Sequence, residues 1–189
     1  MVTTHQSLSG STDEEFVQRM ASTYGERFGA DFWAFFTDHV APSLPPRPVI
    51  IDLGCGPGLL LRDLGEHYPQ ATLYGYDVTP AMIAHGQQLS SKGAKPTLAL
   101  HDVGTQPLPN ATGSVHLVTM TSVLHIVDEP LLVLAEIRRV LAPGGIFFSM
   151  TGSAPHYRPI WLHALTGPRP PRPIVCAGFA SFPPTISTP

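Results

Sequence analysis

Val49-Ile50-Ile51-Asp52-Leu53-Gly54-Cys55-Gly56-Pro57-Gly58 is the stretch that decides the fold. An unbroken apolar run that ends at a glycine reads as a strand buried on both faces of a parallel sheet. Residues 59–68, LLLRDLGEHY, then read as a helix. The glycines fall at the turn between the two, where backbone can approach a ligand with no Cβ in the way. Ligands of such sheets bind outside the carboxyl ends of the strands. A dinucleotide loop needs G-x-G-x-x-G, with its third glycine at position 59, and that position is Leu59.

Further along the chain the alternation continues. Residues 72–77 and 96–102 read as strands two and three, 114–124 as the fourth and 146–150 as the fifth. Between them, 80–93 reads as a helix with Pro80 at a permitted early position. Residues 129–145 read as another helix, with Pro143-Gly144-Gly145 as its stop signal. Five strands with intervening helices predict an α/β fold with a doubly wound parallel sheet.

Two acids stand where a ligand on this sheet would need them. Asp77 closes strand two, 19 residues after Gly58, and a carboxylate there can accept from both hydroxyls of a ribose. Asp102, within His101-Asp102-Val103, closes strand three, where an acid can accept from the amine of an adenine. The set VIIDLGCGPG, YGYDVTPAMI, HDV and EIRRVLAPGG resembles the class I S-adenosylmethionine-dependent methyltransferases, of the kind that act on small molecules, over roughly residues 48–150. The resemblance implies a Rossmann-like sheet and S-adenosyl-L-methionine as cofactor. It implies that Gly54, Cys55 and Gly56 line the methionine portion and that Asp77 holds the ribose. Val78 and Met82 would flank the adenine, Asp102 and Val103 would hold its edge, and Thr121 would face the methionine or the sulfonium. Asp52 joins this set through the loop that it orders.

Methyl transfer is an in-line displacement that alignment and water exclusion can drive, so it demands no universal catalytic residue. Where the acceptor must lose a proton, His125, just past strand four, is the candidate base. Cys55 reads as a small loop residue, His116 as a strand-rim residue, and Asp128-Glu129 as the start of a helix. The nine histidines and two cysteines form no metal-spaced set, so no metal is expected. Residues 119–122 read TMTS, without the Pro-Pro-aromatic segment of amino-methyltransferases acting on nucleic-acid bases and without a Pro-Cys nucleophile. A net charge of −3 argues against nucleic acid as a partner and for a small-molecule acceptor.

The chain has 189 residues, 43% of them hydrophobic, which suits one domain with a real core. The stretch 1–10 lacks an apolar core, and no run reaches the roughly 18 apolar residues of a membrane span. The expectation is a cytoplasmic protein with no membrane partner. Residues 1–12 read as a disordered lead and 13–40 as a helical cap rich in aromatics, broken near Gly25–Gly29. This cap could lie over the site, cover a sheet face, or do both. A proline linker, 41–48, follows it.

All fourteen acids lie before residue 151, while 151–189 holds three arginines and nine of the 21 prolines. That segment reads as a Pro-rich irregular tail. A complete fold of the resembled family continues with a helix, a sixth strand and an antiparallel seventh, so the sequence reads as lacking the last two strands, C-terminally truncated or frameshifted. An alternative frame from Met150 is compatible with Asp-Trp-(Ile/Leu)-Arg-Thr-Pro-Leu; a partner-binding Pro-rich segment is the rival. Two other functions stay open at this level: a non-catalytic S-adenosylmethionine-binding protein, and an NAD(P)-dependent reductase, disfavoured by Leu59.

Overall fold

The computed structural model describes residues 11–150. The readings of a disordered lead, a Pro-rich tail and missing final strands fall largely or wholly on 1–10 and 151–189, outside the described residues.

Five strands form one parallel sheet: β1 (Val49–Leu53), β2 (Thr72–Asp77), β3 (Thr97–Leu100), β4 (Val115–Thr121) and β5 (Leu141–Met150). Their order is β3-β2-β1-β4-β5. The chain therefore winds outward from β1 to β3, then returns to place β4 on the other side of β1. That reversal opens a crevice at the carboxyl ends of β1 and β4, the place where open α/β sheets bind ligands.

Alternation along the strands feeds two cores. Ile50, Leu73, Leu98, Leu117, Ile146 and Phe148 belong to one, with Leu60, Leu61 and Leu64 of α4 (Leu59–His67) and Ile83 of α5 (Pro80–Gln87). Ile51, Leu53, Val118, Met120 and Phe147 belong to the other, under Val133, Ile137 and Val140 of α6 (Pro130–Val140). Burial on both faces explains why the strands read as apolar runs. Each such side chain contributes roughly 1.5–3 kcal/mol when fully buried.

Before β1 the chain forms α1 (Asp13–Ser22), α2 (Tyr24–Arg27) and α3 (Ala30–Phe35), then a π turn at Phe36–Val40 and a 3-10 turn at Ala41–Ser43. Thr12 caps α1 in a reciprocal box with Glu15: each residue's backbone N–H donates to the other's side chain. Phe28, Phe32 and Phe36, at a spacing of four, sink into the first core, and Phe32 meets Phe148 edge-on at 5.7 Å.

The end of α6 differs from the sequence expectation. The helix stops at Val140, and Leu141 already pairs with Val115 as the first residue of β5. Pro143-Gly144-Gly145 is a bulge inside β5: after it, pairing resumes at Leu117 with Ile146, and Gly144 takes φ 84°. A stop signal for a helix and a break inside a strand use the same residues. The helix expected over 80–93 ends at Gln87, and the chain then turns so that the Ala94 N–H donates to the Gly65 carbonyl. No helix among the described residues is long and apolar enough to cross a membrane.

Candidate functional site

Gly54, Gly56 and Gly58 take φ values of 69°, 52° and 75°, so the loop after β1 alternates through the left-handed region. The turn is tied to β2, because the Gly54 and Cys55 N–H groups both donate to the Tyr76 carbonyl, at 2.7 and 3.1 Å. A Cβ on Gly54 would overlap the Cγ2 of Val123, so the loop after β4 seats directly on the glycine.

Asp77 is the clasp of this loop. Its Oδ2 accepts from the Gly56 N–H at 2.8 Å and its Oδ1 from the Thr79 N–H at 2.9 Å. Each oxygen keeps a further acceptor site, so the carboxylate can still take two hydroxyls. Its backbone carbonyl accepts from the His101 N–H, which brings the end of β3 alongside. There Asp102 turns the chain: its Oδ1 accepts from the Gly104 N–H at 2.9 Å.

Asp52 lies beneath the loop, 2% exposed, and its Oδ1 accepts from the Thr119 hydroxyl at 2.7 Å. Burial raises its pKa from 3.8 to about 7; the Asp77 charge adds to the rise, while the Thr119 bond and Arg27 oppose it. Burial pushes the Cys55 thiol up, which agrees with a packing residue.

All ten candidate cofactor residues stand on the wall of one cavity of about 940 Å³: Asp52, Gly54, Cys55, Gly56, Asp77, Val78, Met82, Asp102, Val103 and Thr121. Thr121 closes β4, and Met82 rises from α5. His125 is not with them. It sits exposed on a 3-10 turn at Leu124–Ile126, and its neighbours Val123 and Ile126 line the cavity instead. His116 is structural, its Nδ1 accepting from the Val49 N–H at 3.0 Å.

The N-terminal helices supply a further wall of the cavity. Phe16, Arg19, Met20, Tyr24 and Arg27 line the cavity, while Phe28 to Phe36 pack on the sheet, so the cap does both things expected of it. Ser122 is a further addition. It takes φ 60°, lines the cavity, and its buried Oγ has no hydrogen-bond partner among the described residues. A serine carries no sequence signal for a left-handed backbone.

An S-adenosyl group fits these residues. A Cβ on Gly56 would meet nothing nearer than the Met82 sulfur at 3.9 Å, so this glycine leaves open space over the loop. Two carboxylates with acceptor sites to spare stand at the ends of the next two strands. Among the described residues no group of three His, Cys, Asp or Glu could hold a metal.

This arrangement defines a nucleoside-binding crevice on a doubly wound sheet, and comparison with known proteins says of which kind. The methyltransferase domain family matches residues 51–147. A malonyl-[acyl-carrier protein] O-methyltransferase of Hahella chejuensis is 38% identical over 96 residues, which is 51% of this chain and 33% of that protein. A trans-aconitate 2-methyltransferase of Deinococcus radiodurans is 34% identical over 107 residues, 54% of this chain and 38% of that protein. The crystal structure of an S-adenosylmethionine-dependent methyltransferase from Mesorhizobium loti superposes with a TM-score of 0.52 at 27% identity, covering 62% of this chain and 52% of that one. The chain belongs to the class I S-adenosylmethionine-dependent methyltransferases. The matched part spans about a third of the length of these curated relatives.

Proposed function

We propose that this chain binds S-adenosylmethionine and transfers its methyl group to a small-molecule acceptor. The observation that carries the reading is the convergence of the glycine loop, Asp77 and Asp102 on one cavity at the carboxyl ends of three adjacent strands. The relatives support it, since the acceptors in their names, trans-aconitate and an acyl-carrier-bound malonyl group, are small. On this reading residues 48–150 form the cofactor-binding domain and 13–40 its helical cap.

The bound cofactor supplies an electrophilic methyl on a cationic sulfur. The chain's own residues do the rest. Asp77 would accept from the ribose hydroxyls with the acceptor sites that Gly56 and Thr79 leave over. Asp102 and Val103, which line the same cavity, would hold the adenine edge, and Val78 and Met82 would pack on its faces. Phe16, Met20 and Ile126 add apolar surface to the cavity wall, which would keep water from the displacement.

Calorimetry with S-adenosylhomocysteine tests this. The expected result is binding that weakens at least about tenfold in Asp77→Ala, the loss of a charge-assisted pair of hydrogen bonds. Binding of NAD in place of S-adenosylhomocysteine would overturn it.

A further inference from the structure

We propose that the Ser122 hydroxyl holds the amino-acid end of the cofactor, and that the left-handed bend at this residue serves to present it there. The proposal rests on the cofactor-binding reading above and adds a residue to the same site.

The backbone is the first observation. Ser122 follows the last residue of β4 and takes φ 60°, and among the described residues no other non-glycine has a left-handed backbone. A side chain in that conformation costs stability, and such strain gathers at functional sites. The bend is held from both sides. The Ser122 N–H donates to the carbonyl of Met150, the last residue of β5, at 2.6 Å. The next residue, Val123, sets its side chain on Gly54. A glycine at position 122 would make this bend without strain, so a side chain stands here against the preference of the backbone.

The hydroxyl is the second observation. Ser122 is half-buried and lines the cavity, yet its Oγ is covered and has no hydrogen-bond partner among the described residues. The buried hydroxyls on the strands nearby are both bonded: Thr119 donates to Asp52 at 2.7 Å and Ser149 to the Met120 carbonyl at 3.0 Å. An unbonded buried hydroxyl is costly and calls for a reason. A turn about Cα–Cβ to another staggered position breaks no bond here and would bring the hydroxyl forward to the cavity.

The third is position along the sheet. Asp77 ends β2 and Asp102 follows β3, so the adenosine half of the cofactor belongs on that side. In the order β3-β2-β1-β4-β5, Ser122 stands beyond β1, at the ends of β4 and β5. Two strand spacings, about 10 Å, separate β2 from β4. A thioether arm that leaves the ribose and crosses the glycine loop reaches this point with an α-ammonium and an α-carboxylate. A hydroxyl can accept from the first and donate to the second, and either bond is charge-assisted.

The full chain is titrated calorimetrically with S-adenosylhomocysteine and with 5′-methylthioadenosine, which keeps the adenosine and the thioether and lacks the amino-acid end. The weaker ligand is measured by its competition with the stronger. Ser122→Ala and Ser122→Gly are each expected to raise the Kd for S-adenosylhomocysteine about tenfold, the loss of a charge-assisted contact, and to leave that for 5′-methylthioadenosine unchanged. Both variants keep at least the wild-type urea midpoint, since the hydroxyl has no bond to lose. Ser122→Gly is the more stable of the two, because glycine fits the bend. Weaker binding by a protein of equal or greater stability separates a binding role from a general loss of structure. A wild-type chain that binds neither compound sinks the cofactor-binding reading and the proposal with it. If the wild type binds both compounds equally well, if the variants keep its affinity for S-adenosylhomocysteine, if they lose both ligands alike, or if their urea midpoints fall below its own, the assignment of Ser122 alone is overturned.

Discussion

Gly54 bears two separate constraints, and each can be measured. Its φ of 69° is strained for any residue with a Cβ, by roughly 1–2 kcal/mol. A Cβ would also overlap Val123. Gly54→Ala is therefore expected to lower stability and abolish S-adenosylhomocysteine binding. Adding Val123→Ala should return the overlap part of the loss and not the φ part, a coupling that a double-mutant cycle in urea reads directly. Asp52 gives a second test, through pH. Its folded pKa of about 7 exceeds the ordinary 3.8, so the folded chain binds more protons than the unfolded chain between those values. Stability contributed by this residue is then full below about pH 4 and falls as pH rises through 7, by a few kcal/mol at most. Asp52→Asn keeps an acceptor for Thr119 and should be the more stable protein at pH 8, with a flatter stability profile from pH 4 to 8. Urea midpoints across that range check it; a variant with the wild-type slope refutes it.

The elements show how the site is held from behind. Arg139, near the end of α6, donates to the carbonyls of Leu108 and Asn110 and to the Thr112 hydroxyl, and pairs with Glu136. Glu136 in turn accepts from the Leu108 N–H at 2.7 Å. This clamp fixes the loop between β3 and β4 that begins at Asp102. Arg139→Ala should speed amide exchange over residues 104–114 and weaken S-adenosylhomocysteine binding, while Arg138→Ala, on the exposed side of α6, leaves both alone. Unchanged exchange in Arg139→Ala would show that the loop holds its own shape. None of this clamp was legible in the sequence, because it joins residues about 30 apart through backbone carbonyls. What was legible is what has a local cause. The run 49–53 reads as a strand because both its faces are buried, and residues 72–77 fall on β2 because Asp77 and the turn after it end the pattern. Pro143-Gly144-Gly145 misled because a helix stop and a strand bulge share chemistry. His125 stands on a 3-10 turn beside the cavity and not among its lining residues, which chain position after β4 alone does not decide.

At the scale of the molecule, the question is whether the N-terminal helices fold with the sheet or merely rest on it. α1 has one buried residue, Val17, and lies against α5, while α2 has no buried residue, so little of the cap's hold comes from these two helices themselves. The larger share of the attachment runs through the aromatic series that follows. Phe32 packs against Phe28 at 4.9 Å, Trp33 at 5.1 Å, Phe36 at 6.0 Å and Phe148 of β5 at 5.7 Å, so one ring joins the cap to the second edge of the sheet. A separate tie runs from the Tyr24 hydroxyl to Asp63 on α4. The two ties predict different failures. Phe32→Ala removes a ring at 4% exposure from the shared core and should cost about 3–5 kcal/mol of global stability. Tyr24→Phe keeps the ring and removes one hydrogen bond, so it should cost only about 1 kcal/mol and act locally. Hydrogen exchange separates them. In Phe32→Ala the amides of α3 and of β5 should lose protection together, as parts of one cooperative unit. In Tyr24→Phe the loss should be confined to α1 and α2, and S-adenosylhomocysteine should leave the cavity faster because the wall carrying Phe16, Arg19 and Met20 opens more often. If β5 keeps its protection in Phe32→Ala while α3 loses it, the cap is an independent unit, and the acceptor wall is then set by docking rather than by folding.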